Sequence, residues 1–354
     1  MLPERPVQIC SLIAFVALFA HYEYGKVDTC MPVLLLMAAD YAIRWWLIAR
    51  SGEARVEAVE RIQMPAGGNV IRLEISHPRI KVDEPGQYCF LRVGQLGHYQ
   101  WHPFSIATTP KFAADAASTT GRYRFVVFVR DFGDWSRELV RHGPKMLAPS
   151  VDGKRLAPVG LDGMYGRIAV LFESYRGVVL VCGGIGCTPM FAVLMHMAET
   201  SSKLVGRMVT LVWTFRELEL LPAFARELRA ARALGWDIRL HHTTMSTCIE
   251  CSPDTEPGRD DWYRNEHGYC CLQQSLPDQF PQDIAEQIRP GRPRLVEIYS
   301  KFGHRLLASS DGVGQPACAV LACGPMGLVQ SAKLACRQDT VAVHFEFHSE
   351  EFEW

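Results

Sequence analysis

The chain has 354 residues, room for two globular domains and a smaller segment. It is 48% hydrophobic and 21% charged with a formal net charge of −1, which leaves no basic excess for a nucleic-acid partner. The twelve cysteines are scattered, unlike the dense framework of a small secreted domain, so they read as reduced thiols and the bulk of the chain as facing the cytosol.

Two apolar stretches open the chain. Residues 7–22, VQICSLIAFVALFAHY, carry no charge, and residues 31–49, MPVLLLMAADYAIRWWLIA, are interrupted only by Asp40 and Arg44. A membrane span needs about 20 apolar residues, which the second stretch supplies and the first approaches. Asp40 and Arg44 are four apart and share a helical face on which they can pair. Trp45 and Trp46 suit an interface, and Arg44, Arg50 and Arg55 place the chain after residue 50 on the cytoplasmic side. The expectation is a hydrophobic helical hairpin over residues 1–53, in contact with membrane lipid. A signal peptide built on Arg5, an apolar run and Ala20 is the alternative, and it leaves the second stretch unexplained.

Residues 54–171 read as short β-strands. ARVEAVERI, NVIRLEIS, QYCFLRV and YRFVVFVRD alternate or run apolar between turn residues, the pattern of a small antiparallel barrel. Within it lies Trp101-His102-Pro103-Phe104-Ser105-Ile106-Ala107. Pro103 lacks a donor, so its strand lies at an edge or bends there. Downstream come Arg130 and Gly133-Asp134-Trp135-Ser136, then the helical RELVRH. Free N–H groups at a helix start suit a pyrophosphate, and Arg130 adds a charge-assisted contact. Taken singly, a Pro-Phe-Ser segment is an ordinary loop and a Gly-Asp-Trp-Ser start an ordinary cap. Together in one barrel they resemble the FAD-binding domain of ferredoxin-reductase-type enzymes, and the His-Pro-Phe-Ser form is similar to that of ferric reductases and NADPH oxidases. The resemblance implies that His102, Pro103, Phe104 and Ser105 hold the flavin ring and ribityl chain. It also implies that Arg130, Gly133, Asp134, Trp135 and Ser136 hold the pyrophosphate. Leu161-Asp162-Gly163-Met164-Tyr165-Gly166 resembles the family's exit turn, with Met164 in place of proline.

Residues 172–354 alternate strands and helices, which implies an open parallel sheet with right-handed crossovers. The apolar strand 178–182 runs into Gly183-Gly184-Ile185-Gly186-Cys187-Thr188-Pro189 and a helix, a strand–glycine turn–helix unit for a diphosphate. Thr188 is expected to cap that helix and Pro189 to fit its first turn. Strands MVTLVWTFR, DIRLHHTTM, CAVLACGPM and VAVHFEFH come next, and such sheets bind ligands beyond the carboxyl ends of their strands. Gly183–Pro189 and Cys323-Gly324-Pro325-Met326 closely match the family's two NADPH motifs, and Arg216 falls where the family places a basic residue for the 2′-phosphate. Without the resemblance, Arg216 reads equally as a solvated arginine. The family comparison puts Cys323 beside the nicotinamide. The C-terminal segment resembles a ferric reductase ending, and Trp354 is the candidate to stack on the flavin ring, or else a packed terminal residue.

A long polar insertion, residues 246–280, holds Cys248, Cys251, His267 and Cys270. The spacing C-x2-C-x15-H-x2-C suits tetrahedral zinc, against a surface loop with incidental thiols.

The family resemblance implies electron flow from NADPH through FAD to an acceptor across a membrane, and a multi-pass protein whose cofactor domains face the cytoplasm. Three acceptor readings stand: a ferric chelate, oxygen with superoxide as product, or, in another class, a separate protein served by a haem-less module or an inactive binding subunit. Full-length members hold two haems on paired histidines. Here His21 occupies one such place, but Gln8 stands thirteen residues earlier, so the chain as written would not hold two haems.

Overall fold

The computed structural model describes residues 54–64, 68–97, 100–147, 159–166, 168, 170, 172–200, 207–244, 281–309, 317–338 and 343–350, with six positions between 35 and 46. Contacts divide the chain into residues Met1–Gly52 and a single compact unit, Glu53–Trp354.

In the first unit the described positions are Leu35, Ala38, Ala39, Ala42, Ile43 and Trp46, all helical, all apolar and all exposed. Their spacing of three and four puts them on one helical face. Among the described residues no helix is long and apolar enough to cross a membrane. Apart from those six positions, the expected hairpin lies outside the described residues, as do the Asp40–Arg44 pair and His21.

The second unit begins with β1 (Arg55–Ile62), β2 (Val70–His77), β3 (Tyr88–Val93), β4 (His102–Ser105), β5 (Tyr123–Arg130) and β6 (Val159–Tyr165). These form two three-stranded antiparallel sheets, β1-β2-β5 and β4-β3-β6, rather than one continuous ladder. They meet at Ile106, which bridges to Val127 while its N–H donates to Gln87 O at 2.8 Å. A core of Leu73, Leu91, Phe125, Val127, Leu139 and Leu161 fills the space between them. Pro103 sits on the edge strand β4, as its missing donor requires. The expected exit turn at 161–166 is mostly strand: β6 pairs with β3 through Tyr165, and the peptide between Gly163 and Met164 is cis.

Two helices belong to this half. α1 (Pro110–Thr120) was not evident in the pattern, although Thr109 caps it by accepting from Phe112 N–H at 3.1 Å and Pro110 fixes its first turn. α2 (Asp134–Leu147) starts at the expected Gly-Asp-Trp-Ser segment.

The remainder comprises β7 (Gly177–Gly183), α3 (Cys187–Glu199), β8 (Met208–Phe215), α4 (Ala225–Ala233), β9 (Asp237–His242), α5 (Gln282–Ala285), β10 (Ile288–Pro290), α6 (Leu295–Ala308), β11 (Ala317–Cys323), α7 (Met326–Cys336) and β12 (His344–Glu350). The sheet is parallel throughout, in the order β10-β9-β8-β7-β11-β12. Every residue of β7 is buried, because helices cover both faces of a parallel sheet. The chain winds outward from β7 to β10, then returns to the other side at β11. The switch point therefore lies between β7 and β11.

The two halves share one apolar core. Ile62, Met64, Val70, Val126 and Phe128 of the barrel belong to the same cluster as Leu180, Phe191, Trp213 and Phe224. Phe128 lies 4.9 Å from the Phe224 ring, which in turn stacks on Phe191 at 4.5 Å.

Candidate nucleotide sites

The two glycine turns expected to bind one nucleotide lie against each other at the switch point. Cys182 and Cys323 are register partners on β7 and β11, so both strands end at the same level. A Cβ on Gly324, whose φ is +139°, would lie 2.8 Å from Gly183 N; one on Gly186 would lie 3.0 Å from Cys323 O. Backbone therefore packs on backbone here, and glycine at Gly183, Gly186 and Gly324 serves the meeting of the turns. Gly184 differs: its φ is +53°, and among the described residues the only atom near its missing Cβ is Arg130 Nη1 at 3.7 Å. That open cradle faces the barrel and fits a phosphate group.

Trp213 fixes the cradle. Its fully buried indole donates from Nε1 to Gly184 O at 3.1 Å, and Thr214 Oγ1 donates to Cys182 O at 3.2 Å. Thr188 does not cap α3 as expected. The helix starts at Cys187 with Gly186 before it, and the Thr188 hydroxyl donates back to Ile185 O at 3.2 Å. Pro189 is the third helical residue, where its missing N–H is no loss. Arg216 is exposed just past β8, and its carbonyl lies 2.8 Å from His242 Nε2. Pro325 Cδ lies 2.6 Å from the Cβ position of Gly183, so that ring covers the first glycine.

Cys323 is buried, as are Cys182 and Cys187. Burial first, then the neighbouring thiols, pushes Cys182 and Cys187 well above their usual range, so both stay protonated thiols.

On the barrel side, the register separates the His-Pro-Phe-Ser residues. His102 stands opposite Leu91 and Phe104 opposite Cys89, on the inward face. There the His102 ring lies 4.2 Å from Trp135, and Phe104 stacks on the same indole at 6.0 Å. Pro103 and Ser105 stand opposite Phe90 and Tyr88 on the outward face. That face carries an aromatic trio not anticipated from sequence: Tyr88, Phe90 and Tyr165, with ring centroids 5.8–5.9 Å apart. Tyr88 and Phe90 are half-buried and Tyr165 is exposed, with the rings set edge-to-face or tilted, an aromatic surface on which a flavin ring can pack.

Arg130 ends β5 and leans toward the α/β half. Its Nη2 donates to Glu217 Oε1 at 3.0 Å, and its guanidinium lies 5.2 Å from the Phe132 ring. Its Nε is buried with no hydrogen-bond partner, an orphan that a phosphate oxygen would satisfy. Gly133 is open around its Cβ position, and its N–H donates to Ser136 Oγ at 2.9 Å. Asp134 begins α2 and pairs with Arg137 at 3.0 Å. Arg130, Gly133 and the start of α2 thus follow one another at the end of β5, and Trp135 packs against His102 and Phe104.

Among the described residues no group of three or more His, Cys, Asp or Glu side chains is placed to hold a metal ion. Cys248, Cys251, His267 and Cys270 lie outside the described residues, as does Trp354.

Comparison with known proteins places two family models on the chain. One, described as an FAD-binding domain, matches residues 55–169; the other, a ferric reductase NAD-binding domain, matches residues 175–337. Respiratory burst oxidase homolog protein F of Arabidopsis thaliana is 30% identical over 49% of this chain and 18% of its own length. NADPH oxidase 1 of Mus musculus is 24% identical over 80% of this chain and 44% of its own. Ferric reduction oxidase 7 of Arabidopsis thaliana is 26% identical over 54% of this chain and 25% of its own. The chain thus spans less than half the length of each of these relatives. With both domain models matched in order, the chain belongs to the ferric reductase and NADPH oxidase family.

Proposed function

We propose that the chain passes electrons from NADPH, through FAD, to an acceptor across a membrane, with ferric-chelate reduction as the reaction. The observation that carries this reading is the meeting of the two sites. The open Gly184 cradle, on the pyridine nucleotide turn, lies 3.7 Å from Arg130 Nη1, on the flavin side. Two nucleotides gripped there are brought close enough for transfer between them. The flavin, when bound, supplies the conversion of a two-electron donor into single electrons.

This chain's own residues bind, orient and exclude water. Gly183, Gly184, Gly186, Thr188 and Pro189 form the diphosphate turn, with Arg216 at the strand end for the 2′-phosphate. Cys323, Gly324 and Pro325 close over the nicotinamide end. Cys323 lines this end, buried, and no proton donor is required of it. Pro103 and Ser105, with Tyr88, Phe90 and Tyr165, carry the flavin ring, while Arg130, Gly133, Asp134 and Ser136 take its pyrophosphate. His102, Phe104 and Trp135 act from behind, stiffening β4.

Membrane association is supported by the exposed apolar helix face of Leu35, Ala38, Ala39, Ala42, Ile43 and Trp46. A multi-pass arrangement with both nucleotide domains in the cytoplasm is read from the same apolar stretches.

A second reading, superoxide production, is favoured by the oxidase relatives. Incubation of the purified full chain with NADPH, once without oxygen but with a ferric chelate and once in air without added iron, separates the two. Ferrous iron trapped without oxygen supports the first, and superoxide formed without added iron supports the second. NADPH oxidation with artificial dyes alone means the chain serves a separate acceptor.

A further inference from the structure

Glu217 lies outside both family motifs, immediately after Arg216 and 87 residues from Arg130 in sequence. Its carboxylate nevertheless reaches across from the α/β half and accepts from Arg130 Nη2 at 3.0 Å. Both side chains are largely buried, at 23% and 14% exposure, so water screens the pair weakly. On the other side the guanidinium packs on the backbone of Gly68, where a Cβ would lie 2.6 Å from Nη2. Glu217 occupies only that one nitrogen. Nη1 faces the Gly184 cradle, and Nε is buried without a hydrogen-bond partner.

A guanidinium presents donors along a rigid planar fork, so anchoring one nitrogen sets the direction of the others. We infer that Glu217 is a positioning residue for the flavin phosphates: by holding Nη2 it fixes the guanidinium with Nη1 toward the Gly184 cradle and leaves Nε for the flavin pyrophosphate, and so makes FAD binding by the barrel depend on the α/β domain. This rests on the proposed role of Arg130 as a flavin phosphate ligand. The pair places the fixing carboxylate one residue from Arg216, so one loop after β8 serves both nucleotides.

The test is equilibrium binding of FAD and of riboflavin, which lacks phosphates, to the full chain by flavin fluorescence. Glu217→Gln keeps the shape and removes the charge; it is expected to weaken FAD binding about tenfold, as for loss of a charge-assisted hydrogen bond. Riboflavin affinity stays unchanged. Glu217→Asp restores part of the FAD affinity. In an Arg130→Met background, Glu217→Gln has no further effect, because the two act through one contact. Equal losses for FAD and riboflavin would mean a structural role and overturn the inference, as would unaltered FAD binding in Glu217→Gln. Failure of the unsubstituted chain to bind FAD would instead bring down the function reading along with it.

Discussion

The indole nitrogen of Trp213 donates to the carbonyl of Gly184 at 3.1 Å, so a fully buried aromatic on β8 holds the one open glycine of the turn after β7. Removing this donor leaves the Gly184 carbonyl with the Cys187 N–H as its partner. Trp213→Phe is expected to cost about 0.5–1.5 kcal/mol of stability from that loss. NADPH affinity should fall more than FAD affinity, because the distortion starts at the pyridine nucleotide turn. Thermal unfolding and separate titrations with the two nucleotides check this.

Gly324 adopts φ +139°, and any Cβ there would lie 2.8 Å from Gly183 N. Gly324→Ala therefore meets strain and a backbone clash together, costing about 1–3 kcal/mol for the conformation alone. The two glycine turns must separate, and binding of NADP+ should be lost while FAD binding persists. Retention of both in titrations would show that the turns tolerate being apart.

Much of this arrangement is legible in the residues alone. Glycine turns announce themselves, since few other residues fit positive φ or so close a backbone approach, and each here sits between an apolar strand and a helix. The inward and outward sides of His102-Pro103-Phe104-Ser105 are not legible there. That split depends on the β3–β4 register, and one residue of slip would reverse it. Nor is the Arg130–Glu217 pair, because no local pattern marks two residues 87 apart as partners. Strand β10 escapes the sequence because three residues carry no usable periodicity.

His241 on β9 is 7% exposed, and burial first, then the Arg289 charge, lowers its pKa from 6.5 to about 4. The folded state thus resists a proton that the unfolded chain accepts below pH 6.5. Stability is full above that pH and is lost as pH falls toward the folded value. The loss saturates at an order of 3 kcal/mol. His241→Gln should flatten the stability profile across this window, as read from denaturant unfolding at successive pH values. An equally steep profile in the variant would assign the acid sensitivity elsewhere.

Cys182 and Cys187 are fully buried and protonated in the folded chain, hence poor nucleophiles. Iodoacetamide should leave both unmodified under native conditions and label both after unfolding in urea, as mapped by peptide mass spectrometry. Native labelling at either position would mean that the β7 end opens readily.

The central claim is that one compact body grips a flavin and a pyridine nucleotide side by side. Its most direct test is to load the purified full chain with FAD, remove free flavin and add NADPH without oxygen. The account predicts one flavin retained per chain and loss of the yellow flavin absorption on adding NADPH, with much slower loss on adding NADH. A chain that retains no flavin, or whose bound flavin stays yellow with NADPH present, would contradict it.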